Sequence, residues 1–243
     1  MQTGRVTTPH GRRPMTLALV RGQLETAGRG PSKAVNKWKV FNDIGEAKDV
    51  LGLQDRSITL LQALLSFYPC DELSDEHGGL IVFPSNNQLT LRAHGIAGTT
   101  LRRHLAALVD AGLIERRDSP NGKRYAHRSR GGEIEAAFGF SLAPLLARAT
   151  ELANLAQQVA AERLRFKRAR EALSLCRRDV RKLISAAMEE GADGDWATIE
   201  AMFIGLLDRL PRSPSREVVD TLLDEMELLR EEIINRLEIQ VKA

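Results

Sequence analysis

Leu101, Leu105 and Leu108 recur at intervals of four and three residues, which gathers them into one apolar stripe on a helix and leaves Thr99, Thr100, Arg102 and Arg103 facing outward near its start. Gly112 stands where such a helix stops. Residues 113–114 then begin a short strand whose partner, 123–127, returns after a turn at 119–122 that carries an Asn-Gly pair. Upstream, Ser85 caps a short helix running through Ala93, and residues 94–98 supply the turn before the second helix. Further back, 56–68 reads as a strong helix with Ile58, Leu61, Leu64 and Leu65 on its core face and Pro69 beyond its end. A shorter helical patch covers 44–51, an acidic loop covers 71–79, and the apolar run 80–83 fits a first strand. Helix, strand, helix, turn, helix and basic hairpin follow one another in the order of a winged helix-turn-helix, the second helix of the pair being the one that enters a DNA groove.

The pattern changes at residue 141, from which one long helix is expected to run to about Gly191, with Pro144 tolerated in its first turn. Leu145, Leu152, Val159, Phe166, Leu173, Val180 and Ala187 form an unbroken seven-residue row. The companion row, Ala149, Ala156, Arg163, Arg170, Arg177 and Ile184, turns cationic in its middle, which argues against a simple two-stranded zipper over the whole length. Two further helices, 196–210 and 216–238, flank a break at 211–214. The last is strongly acidic, yet Val218, Leu222, Met226, Leu229 and Ile233 give it an apolar stripe, so this module folds back or dimerises. The expected fold class is mainly α: a winged helix-turn-helix domain with a small β-hairpin wing, then a long helix and a C-terminal helical module. The expected divisions are a basic arm at 1–34, disordered on its own, the DNA-binding domain at 35–140, and an interaction or dimerisation module at 141–243.

Charge sharpens this picture. The formal net of +3 conceals segments of +7 (1–40), −6 (41–91), +6 (92–130) and −4 (131–243). A surface engaging about six phosphates by displacing condensed counterions has a log–log salt slope near about −5. The arm, broken by Pro9, Pro14 and Pro31, reads either as a solubilising tail or as a segment that orders along DNA through Arg5, Arg12, Arg13 and Arg21. Residues 163–182 hold nine basic and two acidic side chains. They read either as a solvated face paired with the acidic C-terminal segment, or as a second DNA contact or partner-docking surface.

The candidate DNA contacts are Thr99, Thr100, Arg102, Arg103 and His104 on the second helix; Arg116, Arg117, Asn121, Lys123, Arg124, Tyr125 and Arg128 on the hairpin; Ser85 and Asn86 at the start of the first helix; and Arg12 and Arg13 in the arm. Arg102 and Arg103 are the foremost, since a guanidinium can read guanine bidentately while a wing cation on phosphate acts on all sequences alike. His94 and His104 flank the turn and the second helix, within reach of backbone, and are read as surface histidines.

Other chemistries find little support. The phosphate-binding pattern Gly-x4-Gly-Lys-Ser/Thr is missing: at Gly122 and Lys123 the first glycine is replaced by Arg117 and the hydroxyl by Arg124. A nickase needs a metal-binding His pair and a nucleophilic tyrosine, but there is no His-x-His, and of the two tyrosines Tyr68 and Tyr125 the latter lies on the hairpin, where packing and phosphate contact explain it. His10, His77, His94, His104 and His127 lack ligand spacing, so no metal and no cofactor is expected. Cys70 and Cys176 read as free thiols of a reducing cytosol. No apolar run approaches the ~20 residues of a membrane span.

Residues 2–8 (QTGRVTT), 11–20 (GRRPMTLALV), 83–86 (FPSN), 100–108 (TLRRHLAAL) and 116–125 (RRDSPNGKRY) resemble the replication initiator protein C (RepC) family of repABC-type plasmids, along essentially the whole chain. The resemblance implies an essential initiator that binds an origin within its own coding sequence on a large, low-copy bacterial plasmid. It also implies a further domain after a polar linker, so a chain ending at Ala243 is read as a piece of such a protein. The expected function is therefore a non-enzymatic, cytoplasmic initiator. It would bind double-stranded origin DNA, self-associate there, nucleate opening and recruit host replication proteins, without a membrane partner. Two other readings remain: a winged-helix transcriptional regulator whose C-terminal helices dimerise, and a scaffold whose basic long helix holds partner proteins.

Overall fold

The computed structural model describes residues 6, 8–9, 14–28, 33–74, 80–128 and 134–242. The chain divides into two compact units, residues 1–159 and 160–243, each with its own apolar core.

In the first unit, α1 (Leu17–Gly28) occupies part of the expected arm. The Thr16 hydroxyl accepts from the Leu19 amide (3.3 Å) and the Thr16 carbonyl from the Val20 amide, so a threonine cap starts a helix where no element was expected. β1 (Val35–Asn36) leads into α2 (Lys37–Glu46), where the Asn36 side chain accepts from the amides of Trp38 and Lys39. The helix thus begins well before the 44–51 patch and ends inside it. α3 (Asp55–Leu65) buries Leu60, Leu61, Leu64 and Leu65, with Ile58 at the core margin. β2 (Glu72–Leu73) pairs with β1, and Lys37, buried beneath them, donates to the Tyr68 carbonyl at 2.7 Å.

Next come β3 (Ile81–Val82), α4 (Asn86–Arg92) and α5 (Gly98–Asp110). At the start of α4 the Ser85 hydroxyl accepts from the Gln88 amide while the Gln88 side chain accepts from the Ser85 amide, a reciprocal cap. Two residues past the end of α5, Gly112 has a φ of +64 and reverses the chain without a Cβ penalty.

The sheet departs from the expected hairpin. β4 (Glu115–Arg117) and β5 (Tyr125–Arg128) do not pair with each other; both pair antiparallel with β6 (Ile134–Ser141), a strand the sequence reading lacks. Arg117 stands opposite Gly139 and Tyr125 opposite Phe138, so the register on β6 runs on without a gap. The turn at 119–122 is therefore an insertion between two segments that share one partner strand. β3 pairs with β6 through Ile81 opposite Ser141 and Val82 opposite Phe140. Gly139 makes this approach possible, since a Cβ there would lie 2.2 Å from the Val82 carbonyl oxygen.

α6 (Ala143–Ala147), against which α1 lies, and α7 (Ala149–Glu189) replace the single helix expected from 141. The break is at Arg148. Its Nη1 donates to the carbonyls of Ala111 (2.7 Å) and Gly112 (3.0 Å), and Nη2 pairs with Glu151 at 2.6 Å. Leu142, Leu145, Leu146 and Leu152 all join the first core, so the first turns of α7 belong to the first unit.

The second unit is built by the rest of α7, α8 (Trp196–Asp208) and α9 (Arg216–Lys242). Asp195 caps α8 by accepting from the Thr198 amide. Leu222, Met226, Leu229 and Ile233 of α9 are buried with Leu173, Val180 and Ile184 of α7 and Phe203 of α8, so the α9 stripe is consumed by folding back. Cys176 lies buried in this core, where desolvation raises its thiol pKa. Cys70 is half-buried against the first core. Among the described residues no helix is long and apolar enough to cross a membrane.

The architecture is mainly helical with small antiparallel sheets and a long helix, as expected. The order α3, β3, α4, turn, α5, β4–β6 is consistent with a winged helix-turn-helix.

Candidate nucleic-acid interface

α5 is held by its buried row, Leu101, Leu105 and Leu108, each with no exposed surface. That fixation turns Thr99, Arg102 and Arg103 to solvent, with Thr100 half-buried beside them. Ala97, which precedes the helix, gives no side-chain cap, so the first amides of α5 have no capping oxygen from that residue. A positive helix end and two exposed guanidiniums thus share one edge. Arg102 Nε donates to the Gly98 carbonyl (3.2 Å), which keeps that side chain along the first turn. An Arg103 guanidinium nitrogen sits 3.4 Å from His104 Nε2.

His104 departs from its surface reading, being 2% exposed, with Nδ1 2.9 Å from the Ser57 hydroxyl of α3. Burial, reinforced by Arg103 and Arg56, lowers its pKa. The residue pins α5 to α3 instead of facing outward. Spacing hinted at this, because position 104 directly adjoins Leu105 and lies three residues beyond Leu101 on the same helix face.

The cations around β4 and β5 differ in exposure. Arg124 reaches inward: it donates to the Pro84 carbonyl and to Asn86 Oδ1, and its guanidinium lies 4.7 Å from the Phe140 ring centroid. Burial and the neighbouring Arg116 push its guanidinium below the ordinary range. Arg124 and Asn86 therefore join the start of α4 to the strands. Asn86 is itself exposed, with its Oδ1 engaged by Arg124. Arg116 also stands over Phe140, at 5.2 Å, and Arg117 is half-buried.

Asn121 Oδ1 accepts from the Lys123 amide at 3.1 Å and lies 2.8 Å from the buried Ser119 hydroxyl, so its side chain serves the 119–122 turn. Lys123 is exposed. Tyr125 packs edge-on against His127 (5.0 Å) and beside Phe138 (5.3 Å), an aromatic cluster on β5 and β6. Arg128 belongs to β5 at a register shift after His127. Ser85 is exposed at its cap. Arg12 and Arg13 lie outside the described residues.

Two cations went unread in the sequence. Arg92 donates to the carbonyl and hydroxyl of Ser66 (2.8 Å each) and stacks 3.7 Å from the Phe67 ring centroid, tying α4 to the end of α3. Arg148 holds the end of α5, as above. Both join segments far apart in the chain, and local spacing carries no signal for such partners. Among the described residues no group of three or more His, Cys, Asp or Glu side chains gathers as a metal site.

The family description Replication protein C N-terminal domain matches residues 13–188 of the chain. The chain is 60% identical over 240 residues to a protein of Rhizobium rhizogenes, covering 99% of this chain and 59% of that one. It is 54% identical over 242 residues to a protein of Sinorhizobium fredii (strain NBRC 101917 / NGR234), covering 100% of this chain and 60% of that one. Both relatives carry the description “Putative replication protein C”. The chain thus spans about three fifths of the length of each. No solved structure matches it. The match over residues 13–188 takes in the helix pair, the sheet and most of the long helix described above, and on that extent the chain belongs to the replication protein C family.

Proposed function

We propose that this chain supplies the origin-binding part of a non-enzymatic plasmid replication initiator. The first unit grips duplex DNA with α5 in the major groove. The carrying observation is the edge of α5, where Thr99, Arg102 and Arg103 stand exposed above a fully buried leucine row. A helix anchored this way presents its guanidiniums without repacking, and its amino-terminal end favours phosphate. Exposed Lys123, on the turn before β5, is suited to backbone contact alongside. Copies bound side by side then open the origin and recruit host replication proteins.

The test compares Arg103→Ala with the unchanged chain on a duplex from within its own gene and on a scrambled duplex of equal length. A base-reading Arg103 costs about 1–3 kcal/mol on the origin duplex and little on the scrambled one. A log–log salt slope near about −5 should accompany the origin complex. Equal binding of both duplexes by the unchanged chain, or no effect of Arg103→Ala on either, overturns the reading.

A further inference from the structure

The second unit segregates its charge. It carries fifteen Lys or Arg and seventeen Asp or Glu, a net of −2, yet nine of the cations crowd into residues 163–182 of α7. All nine are exposed. Arg165, Lys167 and Arg178 pair with Glu162, Glu171 and Asp179 along α7 itself, and the Arg181 guanidinium lies 5.7 Å from the Phe203 ring of α8. Residues 163, 170 and 177 are arginines one heptad apart, and Lys167 and Arg181 continue the stripe on the same face.

On α9, Glu217, Asp224, Glu231 and Glu238 also recur every seven residues and are all exposed, on the side away from the buried stripe. At 1.5 Å per residue the basic and acidic stripes measure about 27 and about 32 Å, so their lengths match. Leu228, 67% exposed, stands within the acidic stripe, and Leu164 and Leu175 are exposed beside the basic one.

We propose that these stripes bind a second copy of the chain, the basic face of α7 in one copy lying along the acidic face of α9 in the other. Three observations favour a copy over DNA. The unit's net charge is negative, so it gains little from a long polyanion, whereas segregated charges of nearly equal number are self-complementary. The stripes share a seven-residue step, the repeat of helices that pack lengthwise in a coiled coil. Exposed leucines border both stripes, which suits a protein surface better than phosphate. A two-fold pair makes the contact twice. This deepens the part of the proposed function in which bound copies assemble, and it is tested without DNA so that its failure is separate from a failure of origin binding.

Sedimentation velocity of the full chain at low and high salt is the test. At low salt the unchanged chain should be dimeric at micromolar concentration and dissociate as salt is raised. The double variants Arg170→Glu with Arg177→Glu, and Asp224→Arg with Glu231→Arg, should each weaken self-association by about a hundredfold. Mixed in equal amounts, the two should recover a heterodimer. All four positions are exposed, and unchanged helical circular dichroism verifies folding. A chain that stays monomeric at low salt, or variants that fail to complement, overturns the proposal. Loss of origin affinity in the α7 variant with sedimentation unchanged would assign the stripe to DNA and overturn it equally.

Discussion

His104 shows how a side chain beside a candidate contact surface can serve the fold. Its lowered pKa means the folded chain binds a proton there less readily than the unfolded chain. Stability is then complete above the ordinary histidine value of about 6.5 and is lost as pH falls through it toward the depressed folded value. Urea unfolding followed from pH 8 to pH 5 should show that decline, and His104→Asn should flatten it. Ser57→Ala leaves the buried imidazole without its hydroxyl partner and should cost about 1–3 kcal/mol at pH 8.

Arg124 makes the complementary case. Its contacts with Pro84, Asn86 and the Phe140 ring lie within the protein, so Arg124→Ala should lower unfolding free energy by about 1–3 kcal/mol. Arg103→Ala, altering an exposed side chain, should change it by less than about 0.5 kcal/mol. Measuring stability beside DNA affinity therefore separates a contact from a support. The sequence lists both arginines among the candidate contacts but does not reveal that Arg124 turns inward, because its partners Pro84 and Asn86 stand some forty residues away.

Among the elements, the helices were largely legible and the sheet was not. The leucine row of α5, the Ser85 cap and the glycine after the helix are local signals, and each stands where its spacing indicated. β6 offered no such signal. Its run from Ile134 to Ser141 is half small residues with two phenylalanines, lacking clear alternation, and its role comes from pairing with three other strands. The Asn-Gly turn drew attention to a hairpin that the longer-range pairing overrides. Gly139 carries the packing consequence. Gly139→Ala would thrust a methyl onto the backbone of Val82 and Phe83 and should destabilise by about 3 kcal/mol or more, measurable as a drop in thermal midpoint.

At the scale of the whole molecule, the seven-residue row along the long helix was read correctly as apolar but not as two separate surfaces. Leu145 and Leu152 enter the first core, while Leu173, Val180 and Ala187 enter the second. Periodicity reports that a face is buried; which unit buries it depends on the fold of segments elsewhere in the chain. The α9 stripe was equally visible, and its closure within the chain leaves the acidic side outward.

The distribution of the thiols gives each unit its own chemical clock. A single cysteine reports on each body, Cys70 at the margin of one and Cys176 sealed in the other. Under native conditions a thiol-exchange reagent should modify Cys70 rapidly, while Cys176 should react only as fast as its three helices part. Equal rates at both sites would contradict the sealed placement. Otherwise the slow rate, followed against denaturant, reads out the opening of the helical unit alone, from a thiol the sequence already carries.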